Sequence, residues 1–304
     1  METIPARARQ QILGASGITV SSIAWGMWRL ASGNPSLKDV HQLVSSVLDA
    51  GINFLDTADI YGSSAPGGFG SAEALLGDAI AADPSLRNRM VLATKAGIRP
   101  GVPYDQSPSY LTDALDASLR RLKVDTIDLW QIHRPDLLAH PQDVARSLQD
   151  AIAKGKVRAV GVSNFSTHQV QALKHFLGHP LVSTQPEISP LRIDCFENGE
   201  LDQAMTMGLT PLAWSPLGGG RVLNPNDEKA ENVAAELDKV AERAGVTRYI
   251  AAYSWLMSHP SGIIPIIGSQ NPERIAGARA AFDVRWTRGE WYAVFTAARG
   301  RKLP

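Results

Sequence analysis

The sequence predicts an α/β fold, a (β/α)8 TIM barrel with an N-terminal β-hairpin and extra C-terminal helices. Three observations predict it. Short apolar runs rich in β-branched residues alternate with longer segments of helical period, the pattern of βα units on a parallel sheet. The runs and the helical segments number eight each, the tally of a closed barrel. The length of 304 residues suits a barrel of roughly 250 residues with insertions.

The elements follow in order. Gln10–Val20 reads as a hairpin, two short strands around a Gly/Ser turn, placed to close the bottom of a barrel. The strand runs are Ser22–Met27, Gly51–Asp56, Met90–Lys95, Thr126–His133, Val157–Ser163, Leu181–Glu187, Leu209–Trp214 and Ile263–Gly268. Helices are expected near 36–50, 72–82, 109–122, 141–154, 167–177, 197–207, 229–244 and 272–280. Ser36-Leu37-Lys38-Asp39 has the form of a capping box, and Gly51 supplies a left-handed residue after that helix. Lys154-Gly155-Lys156 repeats the second device. Pro84, Pro108, Pro141 and Pro272 sit where helices start or stop. Residues 247–258 and 287–298 are read as helices outside the eight units. No linker, repeat or low-complexity stretch interrupts the series, so residues 1–304 are expected to form one domain.

Composition excludes several classes. Hydrophobic residues at 44% and charged residues at 20% are ordinary for a globular chain and argue against disorder. Lys+Arg and Asp+Glu balance at 30 each, which gives no electrostatic reason to expect nucleic acid or an anionic membrane as partner. One cysteine, Cys195, excludes an internal disulfide and makes a reducing, cytoplasmic compartment the expectation. No secretory signal is visible at the N-terminus, and no apolar run approaches the ~20 residues of a membrane helix. A G-x-G-x-x-G fingerprint is absent after any strand, and Gly67-Gly68-Phe69-Gly70 follows a loop. His175 and His179 lack the glutamate of a zinc helix, so no metal is expected.

A barrel carries its chemistry at the C-terminal ends of its strands. Asp56, Lys95 and His133 end the second, third and fourth runs, and Tyr61 follows Asp56 in its loop. Each alone fits a plainer role: a helix cap, a solvated lysine, a rim tyrosine, a buried histidine. Together they suit proton transfer at a carbonyl oxygen. A tyrosine hydroxyl, with a pKa of about 10, is a poor donor near neutrality. An ammonium beside it lowers that value. Lys95 would be that ammonium, Asp56 would hold it, and His133 would orient the substrate oxygen.

Asp56-Thr57-Ala58-Asp59-Ile60-Tyr61-Gly62, Ala93-Thr94-Lys95 and Ile132-His133-Arg134-Pro135-Asp136 together resemble the aldo-keto reductase family. Gly161-Val162-Ser163-Asn164-Phe165, Gln185-Pro186-Glu187 and the stretch Trp214–Gly220 add to the likeness, which runs from the hairpin to Arg274. Pro265–Ser269 and the tail resemble the YdhF-like bacterial oxidoreductases. The resemblance implies a barrel that binds NADP(H) across its C-terminal face and reduces aldehydes or ketones to alcohols reversibly. Asp56, Tyr61, Lys95 and His133 are then the catalytic tetrad, with Tyr61 as general acid. Some relatives bind NADP as regulatory subunits with little turnover, and the tetrad alone fits that role too.

The resemblance also implies the cofactor contacts. Ser163, Asn164 and Gln185 would hold the nicotinamide carboxamide, and Trp214 would stack on its face. Ser215, Pro216, Leu217, Gly218, Gly219, Gly220 and Arg221 would wrap the pyrophosphate, the glycines allowing close approach of backbone N–H groups. Gly268, Ser269, Gln270 and Arg274 would meet the adenosine 2′-phosphate at the start of the last barrel helix. Many relatives carry a lysine where this chain has Gly268, which weakens the preference for NADPH and leaves NADH possible. Gly26, Met27, Trp28 and Asp56 complete the cofactor-facing set. Trp28, Tyr61, His133, Tyr104 and Leu217 are expected around a small carbonyl or alcohol substrate. The mouth formed by Trp28, Tyr104 and Leu217 would be apolar and favour aromatic or medium-chain aldehydes. A monomer or weak homo-oligomer is expected.

Overall fold

The structure, a computed structural model, describes residues 3–5 and 7–304. Strands β1 (Gln10–Ile12) and β2 (Thr19–Ser21) pair antiparallel as the expected hairpin. Eight parallel strands follow: β3 (Ala24–Gly26), β4 (Phe54–Asp56), β5 (Val91–Ala96), β6 (Ile127–Ile132), β7 (Val157–Ser163), β8 (Leu181–Gln185), β9 (Thr210–Ala213) and β10 (Ile264–Ile267). They pair in chain order, and β10 closes against β3 to complete the barrel.

The helices are α1 (Leu37–Asp49), α2 (Ser71–Ala82), α3 (Ser85–Arg89), α4 (Pro108–Leu122), α5 (Pro141–Ala153), α6 (Thr167–Phe176), α7 (Glu200–Met207), α8 (Glu228–Ala244), α9 (Arg248–Met257), α10 (Pro272–Gly277) and α11 (Arg288–Arg299). Local chemistry sets their ends. Ser36 and Asp39 form the capping box before α1, and Gly51 takes φ 77° just after it. Such a cap contributes about 1 kcal/mol. Pro108, Pro141 and Pro272 occupy the first turns of α4, α5 and α10, where a missing N–H costs nothing. The short helix α3, directly after Pro84, is an addition that the sequence pattern does not signal. No helix among the described residues is long and apolar enough to cross a membrane.

One expectation is reversed. Residues 229–244 read as the barrel helix before the last strand and 247–258 as the extra one. In the structure α9 packs on β10, whereas α8 packs outside it on α9 and α11. Burial explains the exchange. Every residue of α9 from Ile250 to Met257 is buried, as a helix wedged between sheet and outer helices requires. Helix α8 buries only one stripe, Ala230, Val233, Ala234, Leu237, Val240 and Ala241, the pattern of an outer helix.

The hairpin stoppers the barrel. Leu13, Ile18 and Val20 join Phe54, Val91, Leu129, Val182, Leu212 and Ile264 in one buried cluster inside the strands. Gly14 makes the seal possible. It sits at φ 51°, its N–H donates to Thr210 Oγ1 at 2.8 Å, and a Cβ there would fall 2.4 Å from the Val182 carbonyl oxygen. Gly14→Ala is therefore expected to destabilise the fold by about 3 kcal/mol, adding left-handed strain to a clash with rigid backbone. Urea denaturation checks it; an unchanged midpoint would mean that the hairpin yields freely.

Candidate active site

With the bottom sealed, the barrel opens at the C-terminal ends of its strands into a cleft of about 510 Å³. Asp56 ends β4, His133 follows β6, Ser163 and Gln185 end β7 and β8, and Trp214 follows β9. The cleft gathers these with Gly26, Trp28, Tyr61, Asn164, Ser215, Pro216, Leu217, Gly219, Gly220, Gly268, Ser269 and Arg274.

Its floor is an ion pair. Lys95 is 0% exposed. Its Nζ donates to Asp56 Oδ2 at 2.7 Å, to the Thr57 carbonyl at 2.8 Å and to the Tyr61 hydroxyl at 3.3 Å. Asp56 Oδ1 accepts from Gln185 Nε2 at 3.0 Å and from Gln131 Nε2 at 3.4 Å. Burying two charges is costly, and the pair persists because nearly every donor and acceptor is filled. Burial pushes the Lys95 ammonium's pKa down, but Asp56 and Tyr61 outweigh it, and the value ends above that of ordinary lysine. Lys95 is thus a fixed positive charge.

Tyr61 departs from expectation. Burial of its hydroxyl raises the pKa, the Lys95 ammonium opposes that, and the net value lies above the usual tyrosine value. Lys95 limits the rise but does not overcome burial, and the charge of Asp56 adds to the rise. The Tyr61 ring is held edge-on between Trp28 at 5.0 Å and His133 at 5.8 Å, centroid to centroid. His133 is pushed well below the ordinary histidine value by burial, then by the charges of Lys95 and Arg134. Its imidazole is neutral. Nδ1 is buried without a hydrogen-bond partner among the described residues, and the neutral ring carries one N–H donor. The site therefore offers two neutral donors, a phenol and an imidazole, backed by one buried cation.

The remaining residues divide. Asn164, at φ 60°, donates to the His133 carbonyl at 3.2 Å and to Ser163 Oγ at 2.8 Å, and accepts from Trp214 Nε1 at 2.9 Å. It ties the ends of three strands together. Six expected residues lie outside the cleft lining. Lys95 sits beneath it, and Met27 is fully buried. Tyr104 bridges Ile98 on the loop after β5. Gly218 turns against Leu191, and Gln270 donates only to the Ser269 carbonyl. Arg221 is held by Asn226 and Asp227, so the guanidinium expected at the pyrophosphate is already paired.

A sequence model described as the aldo/keto reductase family matches residues 22–295. The chain belongs to that family. It is 64% identical, over the whole of both chains, to a protein named 6-dehydroglucose reductase from Novosphingobium aromaticivorans. It is 36% identical to the oxidoreductase YdhF of Escherichia coli, over 96% of this chain and 98% of that one. Among solved structures, the glycerol dehydrogenase AKR11B4 from Gluconobacter oxydans superposes with a TM-score of 0.84 at 28% identity, over 97% of each chain. As an aldo-keto reductase the protein is an oxidoreductase of carbonyl compounds.

Several residues of this aldo-keto reductase's cleft are absent from the sequence expectations. Arg29, Arg134, Leu223, Tyr249 and Tyr253 line it. Gln131 and Ser183 lie under it, Ser183 Oγ donating to Gln131 Oε1 at 3.2 Å. A signal existed for two of them. Arg134 follows the strand-end histidine directly, and Gln131 is a polar residue inside an apolar strand. Removing the floor's cation gives a test. Lys95→Met leaves Asp56 buried and uncompensated and is expected to cost about 3–5 kcal/mol. Thermal or urea unfolding reads it; wild-type stability in that variant would show that the fold does not depend on the pair.

Proposed function

We propose that this protein reduces carbonyl compounds with NADPH, by proton donation from Tyr61. The observation that carries the reading is the hydrogen-bonded series Asp56–Lys95–Tyr61 beside a neutral His133 in one cleft. The whole chain would act as one domain.

The cleft fits a nicotinamide dinucleotide. Gln185 gives its amide N–H to Asp56 and keeps its carbonyl oxygen for another donor. Ser163 and Asn164 lie beside it, and Trp214 offers an aromatic face. Gly219 and Gly220 hold positive φ with open space where a Cβ would stand, and Gly268 has open space too. At the far end Arg274 lines the cleft with Tyr249 and Tyr253. A reduced nicotinamide bound there supplies hydride. Tyr61 then gives its proton to the substrate oxygen, Lys95 stabilises the phenolate left behind, and His133 orients the same oxygen.

The substrate reading follows the relative of 64% identity over its full length. We take 6-dehydroglucose, a glucose oxidised to a carbonyl at C6, as the substrate to test first. This replaces the expectation of an apolar mouth. Tyr104 is not at the cleft, and Arg29 and Arg134 are.

Tyr61→Phe is expected to lower kcat for reduction about 10²- to 10⁴-fold while NADPH affinity, read by fluorescence titration, holds. Because the Tyr61 pKa is raised, the wild-type phenol stays protonated through neutrality, and reduction should hold level until the pH passes the usual tyrosine value. Wild-type turnover in Tyr61→Phe would refute the assignment. Arg274→Met is expected to weaken NADPH binding by about tenfold or more and NADH much less. Equal losses for the two would remove Arg274 from the 2′-phosphate.

A further inference from the structure

Three guanidinium groups in the cleft have no counter-ion among the described residues: Arg274, assigned above to the cofactor, and Arg29 and Arg134. Neither the Arg29 nor the Arg134 side chain donates a hydrogen bond or forms an ion pair with another described residue, whereas Arg87, Arg121 and Arg248 are each held by a carboxylate. The one carboxylate that lines the cleft, Asp56, is taken up by Lys95, Gln131 and Gln185. Asp136, two residues beyond Arg134, accepts from the backbone N–H groups of Gln106 and Leu138.

Arg134 is half-buried, and its guanidinium lies over the ring of Trp214, 5.7 Å from Cζ to the ring centroid. Its charge acts on both Tyr61 and His133. A guanidinium carries five N–H donors. None of its nitrogens is among the buried unpartnered atoms, so these donors face the open cleft and are available to a ligand's acceptors. The substrate carbonyl oxygen belongs to Tyr61 and His133. The acceptors that remain are oxygens on the carbons next to the reacting one. Trp28, 61% exposed at the same mouth, presents a flat apolar face to the C–H side of such a molecule.

We propose that Arg134, with Arg29, is the specificity-determining element of the cleft: it hydrogen-bonds substrate oxygens next to the reacting carbonyl and so selects hydroxylated, sugar-like aldehydes over alkyl aldehydes of the same length. The proposal rests on the reductase reading above and adds which residues recognise the oxygens of such a substrate.

The test compares D-glyceraldehyde with propanal, which has the same carbon chain without hydroxyls, using NADPH and wild type, Arg134→Met and Arg134→Lys. In Arg134→Met the ratio of kcat/KM for glyceraldehyde over propanal is expected to fall about 10- to 100-fold, with KM for glyceraldehyde carrying most of the loss. Arg134→Lys, which keeps a charge and some donors, should recover part of it. NADPH affinity is titrated on each variant alongside. A ratio that stays within about twofold of wild type would overturn this proposal alone. So would a loss of NADPH affinity equal to the loss in kcat/KM, which would assign the guanidinium to the cofactor. A wild-type protein that turns over neither aldehyde would overturn the reductase reading and this proposal with it.

Discussion

The ion pair between Asp56 and Lys95 is the constraint on which the rest of the site depends. The two charges form the cleft floor, almost wholly buried, and each must find compensation within the barrel. Neighbouring strands supply the charges: Asp56 ends β4 and Lys95 lies near the end of β5. Distant strands supply the support, since Gln131 comes from β6 and Gln185 from β8. The closed sheet makes this possible. An open sheet would leave β8 far from β4, whereas here an amide on one wall reaches a carboxylate on the other. The loop after β4 then has little freedom, because Lys95 also binds the Thr57 carbonyl and the Tyr61 hydroxyl.

From that pair the electrostatics of the cleft follow. Lys95 is charged and His133 is neutral for linked reasons: the ammonium that Asp56 sustains is one of the charges that discourages a proton on the imidazole. Tyr61 feels opposite influences and keeps its proton. Outside the pair, the charges that line the cleft are arginines, Arg29, Arg134 and Arg274. A positive cleft with a sealed base attracts anionic or oxygen-rich molecules through one mouth.

Much of this was legible in the sequence, and the reason is topological. A barrel puts the last residue of every strand on one face, so a polar residue closing an apolar run is both easy to see and well placed. Asp56, Lys95 and His133 were placed that way, whereas Ser163 and Gln185 came only from the family resemblance. Gln131 was not placed: a polar residue inside an apolar run stands out, but the run does not tell that it points inward to a carboxylate. The order of α8 and α9 was misjudged because both have helical period, and only the buried surround of α9 separates them. Arg221 looked free beside three glycines, but Asp227, which caps α8, is six residues on and binds it. The Tyr61 pKa was read from its neighbour alone, and burial, which a sequence does not display, has the larger effect.

The depth of Lys95 has a consequence for its amine chemistry. An ammonium with no exposed surface, held by three acceptors, is shielded from reagents that acylate lysines in solution. The other lysines of the chain would be labelled at once. Labelling of Lys95 waits for the barrel to open, so its slow progress would time the opening of the strands themselves and turn a residue of the chemical centre into a clock for the integrity of the whole sheet.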